Sequence, residues 1–153
     1  MAILKIVTDQ EFLRQKSKPV TEFNARLHTM LDDMADTMLS ARGIGIAAPQ
    51  IGVLWRVCLV VTSDGVLELI NPEIITNSRN KSGEEKCLSI PGKDGLVTVL
   101  MKRPTRLLIK AQDRFGNFFE RELKGLPAVC AGHEIDHLDG VLIIDRGEIV
   151  EDE

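Results

Sequence analysis

The chain has 153 residues, 44% of them hydrophobic and 27% charged, with a formal charge of −4. That is enough apolar material for one self-contained core, and residues 1–153 read as a single domain. The balance gives no electrostatic reason to expect a nucleic-acid surface. The apolar stretches are too short for a signal peptide or a bilayer span, so a cytoplasmic protein with no membrane contact is expected.

In chain order, Asn24–Ala41 carries Leu27, Met30, Leu31, Met34, Met38 and Leu39 as one apolar helical stripe. Thr21 or Asn24 suits its start and Gly43 its end. Arg56–Val61 and Val66–Ile70 read as strands joined at Ser63-Asp64-Gly65. Asn71-Pro72 is expected to break the second strand, and Asn77–Gly83 reads as a polar loop. Glu85–Ile90 and Leu96–Leu100 read as strands around the turn Pro91–Gly95. Arg106–Gln112 and Phe118–Leu123 read as a hairpin around Asp113–Asn117. Leu126–Asp139 reads as a helix, with Pro127 in its first turn and Gly140 ending it. Val141–Ile144 would be a last short strand, followed by a loose acidic tail, Glu148–Glu153. The order predicts an α+β domain: short antiparallel strands around a central metal-binding helix, with a longer N-terminal helix.

The metal expectation comes from His133-Glu134-Ile135-Asp136-His137. On a helix, residues i and i+4 share a face, so both imidazoles can meet one ion. Glu134 lies beside them, within reach of a water held there. A catalytic site of this kind takes a third protein ligand. No histidine occurs among the residues after His137. Upstream, Cys87 and Cys130 compete as thiolates. Spacing favours Cys87, because it comes from a second element whereas Cys130 lies on the same helix. Cys58, inside the apolar run Val57–Val61, reads as a small buried hydrophobe. His28 reads as an ordinary helix residue. Arg103 and Asp136 are candidates for an ion pair steadying the histidine helix, or are simply solvated.

Three segments together resemble the peptide deformylase family. They are Gly43-Ile44-Gly45-Ile46-Ala47-Ala48-Pro49-Gln50, Glu85-Lys86-Cys87-Leu88-Ser89 and His133-Glu134-Ile135-Asp136-His137. The resemblance covers nearly the whole chain. It implies hydrolytic removal of the formyl group from N-formylmethionyl peptides and nascent chains. It also implies Cys87, His133 and His137 as ligands of one divalent ion. That ion is Fe(II) in the first place, with Zn(II) or Ni(II) able to take the site. Glu134 is then the proton carrier, and the Gln50 side chain and Leu88 N–H donate to the carbonyl oxygen. On spacing alone Gln50 would read as a loop residue capping local backbone.

Gly43, Ile44, Gly45, Leu126, Val129 and Cys130 are expected to bind substrate, in part as an apolar pocket for methionine. Simple core packing is the competing reading. One departure is Lys86, where the family motif carries glycine; in an extended strand it would point away from the face used by Cys87. The other is the absence of the long C-terminal helix implicated in ribosome docking in some relatives. The rival functions are a metallopeptidase and a non-catalytic metal-binding protein. The lack of a downstream ligand opposes the first, and the presence of Glu134 opposes the second.

Overall fold

A computed structural model describes residues 2–92 and 95–151. Two helices precede the first strand: α1 (Gln10–Leu13) and α2 (Ala25–Ser40). Asn24 caps α2, its side chain accepting from the Leu27 N–H at 3.2 Å. At the other end Gly43 N–H reaches Met38 O and Arg42 N–H reaches Leu39 O, at 2.9 and 3.1 Å. That is the Schellman pattern, and the left-handed residue it needs is Arg42, with φ 57°, not Gly43 as expected.

The strands are β1 (Gly45–Ala47), β2 (Val57–Thr62), β3 (Gly65–Asn77), β4 (Asn80–Glu85), β5 (Pro91–Gly92), β6 (Gly95–Leu96), β7 (Thr98–Pro104), β8 (Arg106–Gln112), β9 (Phe118–Lys124) and β10 (Glu148–Glu151). A 3-10 turn, Ala48–Ile51, follows β1. Helix α3 spans Leu126–Leu138 and α4 Ile143–Arg146. The sheets are antiparallel, ordered β1-β2-β3-β8-β9, β10-β7-β4 and β5-β6.

Strand β2 shows why the first sheet is apolar on both faces. Val57 and Leu59 pack with Leu27, Leu31, Met34 and Met38 of α2. Cys58 and Val60 pack on the opposite side with Ala128, Ala131, Ile135 and Leu138 of α3. A strand covered on both faces has no polar alternation, which accounts for the continuous run Val57–Val61. Cys58 is fully buried there, as expected. A third cluster joins Leu13, Cys87, Ile90, Val99, Met101, Leu142 and Ile143, and seats the second sheet against α1 and α4.

Several expected boundaries move. The chain does not break at Asn71-Pro72: β3 runs through it, leaving β2 for β8 with a register shift between Ile70 and Glu73. Proline is tolerated at such a bulge. Asn71 turns with φ 53°, and its side chain bonds Val20 N and O at 2.8 and 2.9 Å. The expected loop 77–83 is largely β4, paired along its length with β7. It is an exposed sheet edge, so it carries no apolar alternation to reveal it. Glu85–Ile90 is not a strand, because the chain leaves the sheet after Glu85 and turns, with Ile90 N–H on Cys87 O at 3.0 Å. Val141–Ile144 gives a helical turn, α4, in which the Asp145 carboxylate accepts from Leu142 N–H at 3.0 Å. Glu148–Glu151 is the edge strand β10 instead of a loose tail; residues 152 and 153 lie outside the described part.

Candidate metal centre

Helix α3 begins after Gly125, with Leu126-Pro127 in its first turn, and ends where Val141 N–H closes on Asp136 O at 2.9 Å. Its periodicity puts His133 and His137 one turn apart, with ring centroids separated by 5.3 Å. The turn after β4 brings Cys87 to them. The Sγ of Cys87 lies 3.2 Å from His137 Nε2. One ligand atom from each of Cys87, His133 and His137 lies within 4.8 Å of the other two, and all three residues are buried. For a tetrahedral ion bound by sulfur and imidazole nitrogen, adjacent ligand atoms stand about 3.5 Å apart.

The surroundings suit a cation. His133 Nδ1 lies on Glu85 Oε1 at 3.1 Å, which turns its other nitrogen toward the cluster. Glu85 in turn accepts from Arg103 Nε at 2.6 Å; Arg103 also donates to Asp136 at 2.8 Å, and Arg146 to the same carboxylate at 2.6 Å. The expected Arg103–Asp136 pair therefore belongs to a longer chain of charges, with Arg103 only 3% exposed. Burial opposes ionisation of Glu85, but His133 and Arg103 outweigh it and keep the carboxylate below its ordinary range. Burial and the neighbouring His133 and Arg103 push His137 down to about 3, so it stays neutral and able to ligate. At His133 burial opposes the charged form but is outweighed by Glu134, Cys87 and Glu85, which raise it. Buried atoms without a partner among the described residues include Glu134 Oε1 and His137 Nδ1.

The centre forms one wall of a cavity of about 350 Å³. Gly43, Ile44, Gly45, Gln50, Cys87, Leu88, Leu126, Val129, Cys130, His133 and Glu134 line it, while His137 lies behind, 1% exposed. Ile44 and Leu126 are at the open side, 44% and 62% exposed. Gly45 is required by close approach: a β-carbon there would overlap Cys130 Sγ and lie 2.6 Å from Glu134 Oε2. Cys130 itself donates to Ile44 O at 3.3 Å, with Glu134 Oε2 at 3.9 Å. Gln50 is 2% exposed. Its Oε1 accepts from Ala47 N–H at 2.9 Å, which aims Nε2 at Ser89 Oγ, 3.2 Å away, and at Cys87 Sγ, 3.7 Å away. Local capping and a donor directed at the centre are thus one arrangement. The Leu88 N–H makes no bond to a described residue.

Sequence reasoning missed Arg42, Glu84, Glu85 and Leu96 on the lining. The one local signal for Glu85 was an acid two residues before a candidate ligand. The extended strand on which the Lys86 expectation relied is not present at that position. Lys86 lies beyond the end of β4, so strand alternation does not govern it, and it lines the same cavity from an exposed position. His28 remains structural, with Nε2 on Arg114 O at 2.7 Å.

A sequence-family profile described as polypeptide deformylase matches residues 3–152. The peptide deformylase of Caldicellulosiruptor bescii is 50% identical over 147 residues, 95% of this chain and 86% of that one. Among solved structures, a peptide deformylase from Legionella pneumophila superposes with a TM-score of 0.86 at 44% identity, covering 95% of this chain and 86% of that one. The enzyme from Thermotoga maritima gives 0.89 at 37% identity, covering 95% and 98%. The chain belongs to the polypeptide deformylase family, an α+β family with antiparallel sheets and metal-dependent activity.

Proposed function

We propose that residues 1–153 act as one peptide deformylase domain, its strands packed around α3 as the metal-binding helix and α2 backing the sheet. It removes the formyl group from N-formylmethionine at the start of newly made polypeptides and releases formate. The observation that carries this reading is the meeting of Cys87, His133 and His137 beside the buried carboxylate of Glu134.

A divalent ion held by Cys87, His133 and His137 would supply Lewis-acid polarisation and a more acidic water. Burial raises Glu134 to about 7, so its carboxyl group can both take and give a proton near neutral pH. Glu134 accepts the proton of the attacking water and delivers it to the departing amine. The Gln50 amide and the Leu88 N–H donate to the carbonyl oxygen as charge gathers on it. The free edge of β1, extended by Gly43 and Ile44, and the Leu88–Pro91 segment pair with the extended peptide. Ile44, Leu126, Val129 and Cys130 enclose the methionine side chain.

The test compares formyl-Met-Ala with unmodified Met-Ala-containing peptides, using protein purified without oxygen. Release of formate from the first, with no cleavage of the second, is expected; internal cleavage would identify a metallopeptidase, and no turnover a metal-binding protein only. Formyl-Met peptides should also exceed formyl-Gly peptides in kcat/KM, because burying the side chain contributes about 0.8 kcal/mol per CH₂. Equal efficiencies would remove the methionine pocket from these residues.

We propose Fe(II) as the ion, with Zn(II) and Ni(II) as substitutes that the same thiolate and imidazoles accept. Iron and thiolate are both oxidisable, so the iron form should lose activity in aerated buffer much faster than the nickel form. Equal half-lives would contradict this. The partners are nascent chains in the cytoplasm, met at the ribosome. No nucleic acid or membrane is engaged directly. No helix among the described residues is long and apolar enough to cross a membrane.

A further inference from the structure

The mouth of the cavity carries two cations that the deformylation chemistry leaves unused. Arg42 and Lys86 both line it, and both are exposed. They arrive from separate segments, Arg42 from the end of α2 and Lys86 from the turn after β4.

Neither position is one where a long side chain comes without consequence. Arg42 occupies the left-handed position that closes the α2 Schellman turn, with φ 57°, where glycine would relieve backbone strain. Lys86 stands where the resembled motif has glycine. Among the described residues neither forms an ion pair, whereas Arg103, Arg114 and Arg146 each sit on a carboxylate. Of the three acids on the same lining, Glu85 is held by Arg103 and His133, Glu134 is buried beside the histidines, and Glu84 is the exposed one, with no ion pair among the described residues. Among the exposed lining residues the mouth therefore carries two uncommitted cations against one carboxylate, on a chain whose formal charge is −4.

We infer that Arg42 and Lys86 form an anion-recognising rim that selects formylated peptides carrying aspartate or glutamate in the first two residues after methionine. The inference rests on the deformylase reading. The formyl end and the methionine side chain take the part of the cavity of about 350 Å³ that lies against Cys87, His133 and Glu134. The residues that follow must leave through the mouth, where a guanidinium fork and an ammonium can each meet a carboxylate.

The experiment measures kcat and KM of the nickel-loaded protein for formyl-Met-Ala-Ser and for versions with glutamate or lysine in the second or third position. An exposed ion pair changes an equilibrium by about two- to five-fold. With attraction for glutamate and repulsion for lysine, kcat/KM should favour glutamate by roughly 10-fold at low salt, mainly through KM. The preference should shrink in 0.5 M salt on the order of the screening expected for exposed charges. Lys86→Glu should cut or reverse it, and the double substitution Arg42→Gln/Lys86→Gln should bring the ratio near one. Equal efficiencies in the unaltered protein, or a preference that survives the double substitution, would overturn the rim. Failure to deformylate any of these peptides would instead sink the deformylase reading, and the rim with it.

Discussion

Replacing Glu134 with glutamine is expected to lower kcat by at least roughly 10³-fold while metal content stays near that of the unaltered protein. The side chain is 4% exposed, and Oε1 has no partner among the described residues. Among the described residues the one hydrogen-bond partner of its Oε2 is the Cys130 thiol, at 3.9 Å. A carboxylate in such surroundings is poorly solvated, which is why burial raises it to about 7. A group placed so can accept a proton from water and return it to an amine within one turnover. Glutamine keeps the volume and removes the base. General acid–base groups contribute about 10²–10⁴-fold, and one that serves both proton transfers belongs near the upper end. Its neighbours in the helix, and not Glu134, complete the set of metal-ligating atoms, so the ion should remain. Single-turnover kinetics beside metal analysis of the same sample checks both halves. A variant that kept its metal and most of its kcat would remove Glu134 from proton transfer.

The second large effect concerns the two cysteines nearest the centre. Cys87→Ala should abolish high-affinity metal binding, whereas Cys130→Ala should largely preserve it. Cys87 Sγ is 3.2 Å from His137 Nε2 and completes the three-ligand set. Cys130 instead donates to a backbone oxygen, Ile44 O, at 3.3 Å. Burial first, and then the charge of Glu134, drive its thiol well above the usual range, which favours the protonated form that donates to Ile44 O. Loss of an outer partner of a metal ligand typically costs about 10–100-fold in affinity, so loss of a ligand should exceed roughly 10²-fold. Competition with a chelator of known strength measures this for each variant. Retention of metal by Cys87→Ala with loss from Cys130→Ala would reverse the assignment.

Two helices and most of the first sheet were legible in the residues, for local reasons. The stripe from Leu27 to Met38 has helical period, and α2 spans Ala25–Ser40. The hairpin β8–β9 lies where Asp113–Asn117 marks a turn. The failures cluster in the second sheet. There β4 is an exposed edge without apolar alternation, and α4 is a single turn too short for any period to show. Both depend on what the rest of the chain packs against them.

The sequence by itself determined that His133 and His137 share one helix face, because i and i+4 spacing is a property of any α-helix. It likewise determined that Cys58, inside the apolar run Val57–Val61, would be a small buried hydrophobe. Only the tertiary structure decided which side chains meet that helix. Glu85 reaches His133 across 48 positions and Cys87 reaches His137 across 50. Arg103 links Glu85 to Asp136, and Arg42 and Lys86 come to share one cavity mouth. Such meetings follow from how α3 and the turn after β4 are seated by three separate core clusters, and no local period encodes that seating.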